Sequence, residues 1–186
     1  MDHADHVGLL RAAVEPGGTW ADIGAGAGAG AFTLALADLL GPGGRIVAVD
    51  RNGRTLRANE ASVRTRFPGV RYATLNADLT GPLDLPDLDG LVAANSLHYV
   101  PRDRQVAVIR ALAAHLRPGG RFVVVEYDAD RGNPWVPHPF TYGSWERLAE
   151  SAGLMDTRMI GRVPSRFLDA IYSAESRREH PDAGRP

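Results

Sequence analysis

The chain contains no cysteine and no lysine. Without cysteine there is no disulfide, no thiolate nucleophile and no Cys-ligated zinc. The basic count, 21, is therefore all arginine, which is read as a compositional bias of the coding sequence and not as a functional sign. Neither sign of charge dominates. The net charge is −1, so nothing in the balance draws the protein to nucleic acid or to an anionic lipid surface. No apolar run reaches the roughly 18 residues of a membrane helix. The start, Met1-Asp2-His3-Ala4-Asp5-His6, lacks the basic-then-apolar pattern of a secretion signal, so a cytoplasmic protein without a membrane partner is expected. His3 and His6 resemble a metal-binding pair only superficially, with no third ligand evident, and no metal is expected.

What is present is ordinary globular composition, 44% apolar and 23% charged, over 186 residues, the size of one domain. Apolar runs of strand length alternate with segments of helical period, and short glycine- or proline-bearing turns join them. This pattern predicts an α/β fold with a mostly parallel, Rossmann-like doubly wound sheet. Strands are expected over Thr19–Ile23, Arg45–Val49, Val70–Leu75, Gly90–Ala94 and Phe122–Val125. Helices are expected over Val7–Val14, Ala31–Leu40, Gly53–Arg66, Asp103–Leu116 and Tyr142–Ala152, the last capped by Ser144. Met155–Val163 and Arg166–Tyr172, joined at Pro164-Ser165, predict an antiparallel hairpin at the sheet edge. The domain is expected over residues 1–174, with 175–186 as a frayed polar tail.

The segment that carries most chemistry is Asp22-Ile23-Gly24-Ala25-Gly26-Ala27-Gly28. Glycines at alternate positions after a buried strand let the backbone turn sharply and approach a ligand without Cβ clashes. They also open a helix whose N-terminus carries positive partial charge. Asp22 narrows the ligand. A carboxylate just ahead of the glycines would repel a pyrophosphate but suits an ammonium and a sulfonium. No G-x-G-x-x-G is completed from Gly24, Gly26 or Gly28. Both facts favour S-adenosylmethionine (SAM) over a dinucleotide. Asp50, ending the second strand, can accept two hydrogen bonds from a ribose diol, or can cap the following helix. Asp78, just after the third strand, can accept the exocyclic amine of adenine, or can begin a turn.

Taken in order, these pieces resemble the class I SAM-dependent methyltransferases, especially the small-molecule branch that includes quinone-biosynthesis enzymes. Asn95-Ser96-Leu97-His98-Tyr99-Val100 and Leu116-Arg117-Pro118-Gly119-Gly120-Arg121-Phe122 add to the likeness, which covers Thr19 to Leu154. The resemblance implies that Gly24, Gly26 and Gly28 lie against the methionine part of SAM and that Asp50 holds the ribose. Asp78 and Leu79 would bracket the adenine, and Asn95 would sit beside the transferred methyl. Ser96 to Tyr99 would line the acceptor side. One departure is an extra Ala-Gly step, so Gly26, Gly28 and Gly30 form a second possible trio; the first keeps Asp22 in register. The chemistry implied is in-line displacement at the methyl by an O, N or C nucleophile of a small-molecule acceptor. His98 is the candidate general base, with packing or orienting as its other role; His138, Tyr142 and Glu126 are weaker candidates for contact with the acceptor. The loop Tyr127 to Tyr142 carries four aromatics and three prolines, and either stacks on a flat substrate or buries its own rings. The early first strand implies an open cleft, or a lid from that loop or from a second subunit, which leaves a homo-oligomer open. The competing readings are a nucleotide-dependent oxidoreductase and a non-catalytic SAM-binding domain.

Overall fold

The apolar runs become the strands of one seven-stranded sheet. In the computed structural model, residues 1–26, 30–165 and 167–179 are described. The strands are β1 (Thr19–Ile23), β2 (Arg45–Asp50), β3 (Arg71–Asn76), β4 (Leu88–Ala94), β5 (Leu116–Tyr127), β6 (Leu154–Pro164) and β7 (Ala170–Arg178). The sheet order is β3-β2-β1-β4-β5-β7-β6. The first five strands are mutually parallel, and β7 runs antiparallel to both β5 and β6. The helices are α1 (His3–Leu10), α2 (Ala31–Leu40), α3 (Gly53–Arg66), α4 (Arg102–Ala113) and α5 (Tyr142–Ser151). None of the described helices is long and apolar enough to cross a membrane.

Successive side chains of a strand point to opposite faces, so each central strand serves two cores. Trp20, Val92, Ala94, Val123 and Val125 pack beneath α1, α2 and α3, against Leu10, Phe32, Leu36 and Val63. Ala21, Ile23, Leu91, Ala93, Phe122 and Val124 face α4 and α5, against Ile109, Leu112 and Trp145. Trp145 is fully buried, with ring centroids 5.4 Å from Phe122 and 5.9 Å from Phe140. Burying such a ring contributes about 1.5–3 kcal/mol.

Several boundaries differ from the sequence expectation. The first helix spans His3–Leu10 instead of Val7–Val14, because Asp2 and Asp5 form a reciprocal capping box ahead of the apolar residues. Helix α4 stops at Ala113, and Leu116 opens β5 instead of closing the helix. The strand then carries Pro118-Gly119-Gly120 through a register shift in its pairing with β4. The cap of α5 is Thr141, whose hydroxyl accepts the Ser144 amide; Ser144 itself lies inside the helix. The largest correction concerns the tail expected from Glu175. Strand β7 runs to Arg178 between β5 and β6, and Glu175 and Ser176 are buried. The carboxylate of Glu175 is held by Arg158 (2.6 Å), Arg177 (3.2 Å) and Arg121 (3.4 Å). The antiparallel hairpin at the sheet edge is as expected; its second strand runs on past Tyr172 because the polar residues that look like a tail are charge-compensated inside the sheet.

Candidate active site

In an open α/β sheet, ligands bind beyond the carboxyl ends of the strands where the strand order reverses. That point lies between β1 and β4, and a cleft of about 370 Å³ opens there. Volumes of this size suit a small-molecule site. Its walls come from the tips of four strands.

Gly24 follows β1 with φ of +79°, and a Cβ there would lie 2.5 Å from the Ser96 Cβ. The amides of Gly24 and Ala25 donate to the Val49 carbonyl at 2.8 and 3.0 Å, tying the turn to β2. Gly26 comes closer still to the second strand tip. Its amide donates to Asp50 Oδ2 at 2.9 Å, and a Cβ would stand 2.7 Å from the same oxygen. The other oxygen, Oδ1, accepts the Asn52 amide at 2.7 Å. Each carboxylate oxygen of Asp50 is thus oriented by one N–H and keeps a lone pair for the cleft. Gly28 lies outside the described residues, as does the Ala27–Ala29 step that distinguishes the two glycine trios.

After β3, the Asn76 amide nitrogen and the Ala77 N–H both donate to the Asp50 carbonyl. Asp78 Oδ1 accepts the backbone N–H of Thr80 at 2.8 Å and its hydroxyl at 2.7 Å. The Thr80 amide, and then its hydroxyl, hold the Asp78 carboxyl below the ordinary range, so it stays an acceptor. Leu79 lines the same stretch of wall. After β4, Asn95 sits in the left-handed region with φ of +49°. Such backbone concentrates at ligand sites, where surrounding structure holds it against its cost. Its Oδ1 and the Ser96 Oγ are buried with no hydrogen-bond partner among the described residues, and both residues line the cleft.

Of the residues singled out in the sequence, Asp50, Asp78, Leu79, Gly24, Gly26 and Asn95 line one cleft. Two residues are placed otherwise. Asp22 is buried behind the wall, where Thr33 Oγ1 of α2 donates to its Oδ2 at 2.5 Å. Burial pushes its carboxyl up to about 6, against the opposing Thr33 hydrogen bond and with a smaller contribution from the charge of Asp50. His98 is also buried and does not line the cleft. Its Nδ1 lies 2.7 Å from Glu126 Oε1, and its amide donates to Glu126 Oε2 at 3.3 Å. The candidate base is thus engaged inward, while its neighbours Ser96 and Tyr99 form the wall. His138 belongs to the same support, its amide donating to the His98 carbonyl at 2.9 Å. The aromatic loop divides: Phe140 enters the core, and Trp135 stands 80% exposed on the Asn133–Val136 turn.

Sequence reasoning missed Thr33 and Asn59. Asn59 is buried on the inner stripe of α3 between Leu56 and Val63, and its Nδ2 donates to the Ala25 carbonyl at 2.7 Å. A lone amide on an otherwise apolar helical stripe was the available signal. Among the described residues, no group of three or more His, Asp or Glu is placed to hold a metal ion; His3 instead contacts Asp38 at 3.0 Å.

Comparison with known proteins agrees with this geometry. The methyltransferase-domain family model matches residues 22–122. The ubiquinone/menaquinone biosynthesis C-methyltransferase UbiE of Pasteurella multocida is 32% identical over 159 residues, which cover 83% of this chain and 54% of the relative. The same-named protein of Ectopseudomonas mendocina is 27% identical over 172 residues, covering 91% and 61%. The chain thus spans little more than half the length of these relatives. Among solved structures, the Burkholderia thailandensis 1,6-didemethyltoxoflavin-N1-methyltransferase, with its substrate and S-adenosylhomocysteine bound, superposes with a TM-score of 0.70 at 20% identity, covering 95% of this chain and 77% of that one. A SAM-dependent methyltransferase from Aquifex aeolicus gives a TM-score of 0.70 at 19% identity, covering 93% and 89%. At such identities the likeness is one of fold.

Proposed function

Because the chain belongs to the methyltransferase-domain family, the class I SAM-dependent methyltransferases that its motifs resemble, we propose that it transfers a methyl group from SAM to an O, N or C nucleophile of a small molecule. The observation that carries this reading is the meeting of strand-tip acids at one cleft: Asp50 and Asp78 in its wall and Asp22 buried behind it. A diphosphate would face repulsion there, whereas a cationic donor with a ribose diol meets acceptors. Asn95 and Ser96 line the same cleft, and among the described residues Asn95 Oδ1 and Ser96 Oγ have no hydrogen-bond partner.

In this reading Asp50 accepts the ribose hydroxyls on the lone pairs left by its two backbone donors. Asp78 accepts the adenine amine, and Leu79 packs on the ring face. Gly24 and Gly26 admit the methionine part to backbone contact. Asn95 stands beside the methyl. Asp22 acts through its negative potential and by anchoring the first turn of α2 at Thr33, not by direct contact. The donor supplies a methyl already activated by the adjacent sulfonium. The protein's task is then alignment and exclusion of water, which can be worth roughly 7–11 kcal/mol. His98 holds the wall instead of removing a proton.

Calorimetry with SAM, S-adenosylhomocysteine (SAH) and NAD tests the proposal. Heat for the first two and none for NAD is expected, and Asp50→Ala is expected to weaken SAH by more than about ten-fold, the effect of losing a charge-assisted bidentate acceptor. Tight NAD binding without SAH binding would overturn the reading.

A further inference from the structure

We propose that Asn59 is a positioning residue for the methyl donor: from helix α3, outside the cleft, it sets the carboxylate of Asp50 that receives the ribose. This rests on the methyl-transfer reading and adds a residue to its machinery. Asn59 does not line the cleft. It is 3% exposed, on an inner helical stripe whose other buried members, Leu56 and Val63, are apolar. A buried amide in such surroundings needs a polar partner to offset its desolvation. That partner is the Ala25 carbonyl, to which Asn59 Nδ2 donates at 2.7 Å.

The carbonyl of Ala25 and the N–H of Gly26 belong to one peptide group. That group is planar and trans, so the two point in opposite directions. Holding the carbonyl on Asn59 therefore aims the N–H the other way, at Asp50 Oδ2, to which it donates at 2.9 Å. Ala25 is fixed at its other atoms as well. Its own N–H donates to the Val49 carbonyl, and its side chain is buried in a small cluster with Ala48 and Leu56. Leu56 stands one turn before Asn59, so α3 grips Ala25 by an apolar and a polar contact. The same helix holds the second carboxylate oxygen: Asn52, its N-cap, donates its amide to Asp50 Oδ1 at 2.7 Å. Both oxygens of the ribose acceptor are thus oriented from α3, one directly and one through a single peptide. The far end of the glycine turn meets the same amide. Gly30, with φ of +79° at the N-cap of α2, leaves no room for a Cβ, which would stand 2.7 Å from Asn59 Nδ2. Hydrogen bonds weaken steeply with misalignment, so freeing this peptide costs the ribose contact first.

The test uses SAH and 2′,3′-dideoxy-SAH, which lacks both ribose hydroxyls, each titrated calorimetrically into wild type and Asn59→Leu. Leucine keeps the bulk of the side chain and removes its donor. Wild type is expected to bind SAH about thirty-fold or more tighter than the dideoxy compound, the range of two hydrogen bonds to a carboxylate. Asn59→Leu is expected to lower that ratio about five-fold or more. A purely structural role would weaken both ligands alike and leave the ratio unchanged. A measurement without substitution accompanies these, and decides alone if Asn59→Leu does not fold: the side-chain amide protons of Asn59 shift in the NMR spectrum with SAH and not with the dideoxy compound. A wild type that binds both ligands equally, an Asn59→Leu variant that keeps the wild-type ratio, or Asn59 protons that respond to both ligands or to neither overturns this inference and leaves methyl transfer standing. A wild type that does not bind SAH overturns the methyl-transfer reading and this inference with it.

Discussion

At the scale of single residues, Asp22 and Gly26 make opposite demands. Asp22 is buried, and desolvation raises its carboxyl from the ordinary 3.8 to about 6. The folded state therefore binds this proton more tightly than the unfolded chain does. Its stabilising effect is complete below about pH 4, fades as pH rises, and above about pH 6 the ionised group costs the fold about 3 kcal/mol. Asp22→Asn keeps an acceptor for Thr33 and removes that cost. Thermal melts should show this variant more stable than wild type near pH 8 and little changed near pH 4. Its affinity for SAM should nonetheless fall, and wild-type affinity should climb between about pH 5 and 7 as the carboxylate ionises. A melt in which Asp22→Asn is destabilised at the higher pH would contradict the burial argument. Gly26 is constrained by contact instead of charge. A Cβ at 2.7 Å from Asp50 Oδ2 must push a carboxylate whose two oxygens are both held. Gly26→Ala is expected to weaken SAH by about ten-fold, roughly 1.4 kcal/mol, with little change in melting temperature. The pairing of a glycine with an acid at a strand tip is legible in the sequence; the inward turn of Asp22 and His98 is not, because which side of a strand or turn is sealed depends on the helix laid over it.

At the scale of elements, the strands after β5 carry the lesson. Polar composition from Glu175 onward reads as a tail, yet β7 is an interior strand whose end is neutralised by arginines from β5, β6 and β7 itself. Glu175→Gln would leave three guanidinium groups around a neutral amide. A loss of about 3 kcal/mol, or about 10 °C in melting temperature, is expected from circular dichroism. An unchanged melt would mean that this cluster is not holding the hairpin to the sheet. By contrast Thr141→Ala removes only the hydroxyl cap of α5 and should cost about 1 kcal/mol. Helices α2 and α3 and strand β1 have the bounds that periodicity predicts, because they are set by local signals such as Gly41 after α2 and the Asn52 cap before α3. Where the closing signal is long-range, as for Leu116 and Glu175, periodicity fails.

At the scale of the whole molecule, one reversal of strand order brings together residues from the tips of four strands. Hydrogen exchange should therefore report a localised response to SAH. Amides at Gly24 to Gly26, Arg51 to Asn52, Ala77 to Thr80 and Asn95 to Leu97 should gain protection, while β6 at the far edge stays unchanged. Uniform protection across β6 would show the ligand stabilising the fold globally and not this cleft. The mixed sheet carries two cores: α1–α3 cover one face and α4–α5 the other. By itself the sequence determined the alternation of elements, the parallel sheet and the chain of acids and glycines at its tips, since all of these follow from local periodicity and turn chemistry. Only the tertiary structure decided that β7 lies inside the sheet, that Asp22 and His98 face inward and that Tyr99 stands at the cleft, because burial and pairing are set by contacts between segments distant along the chain.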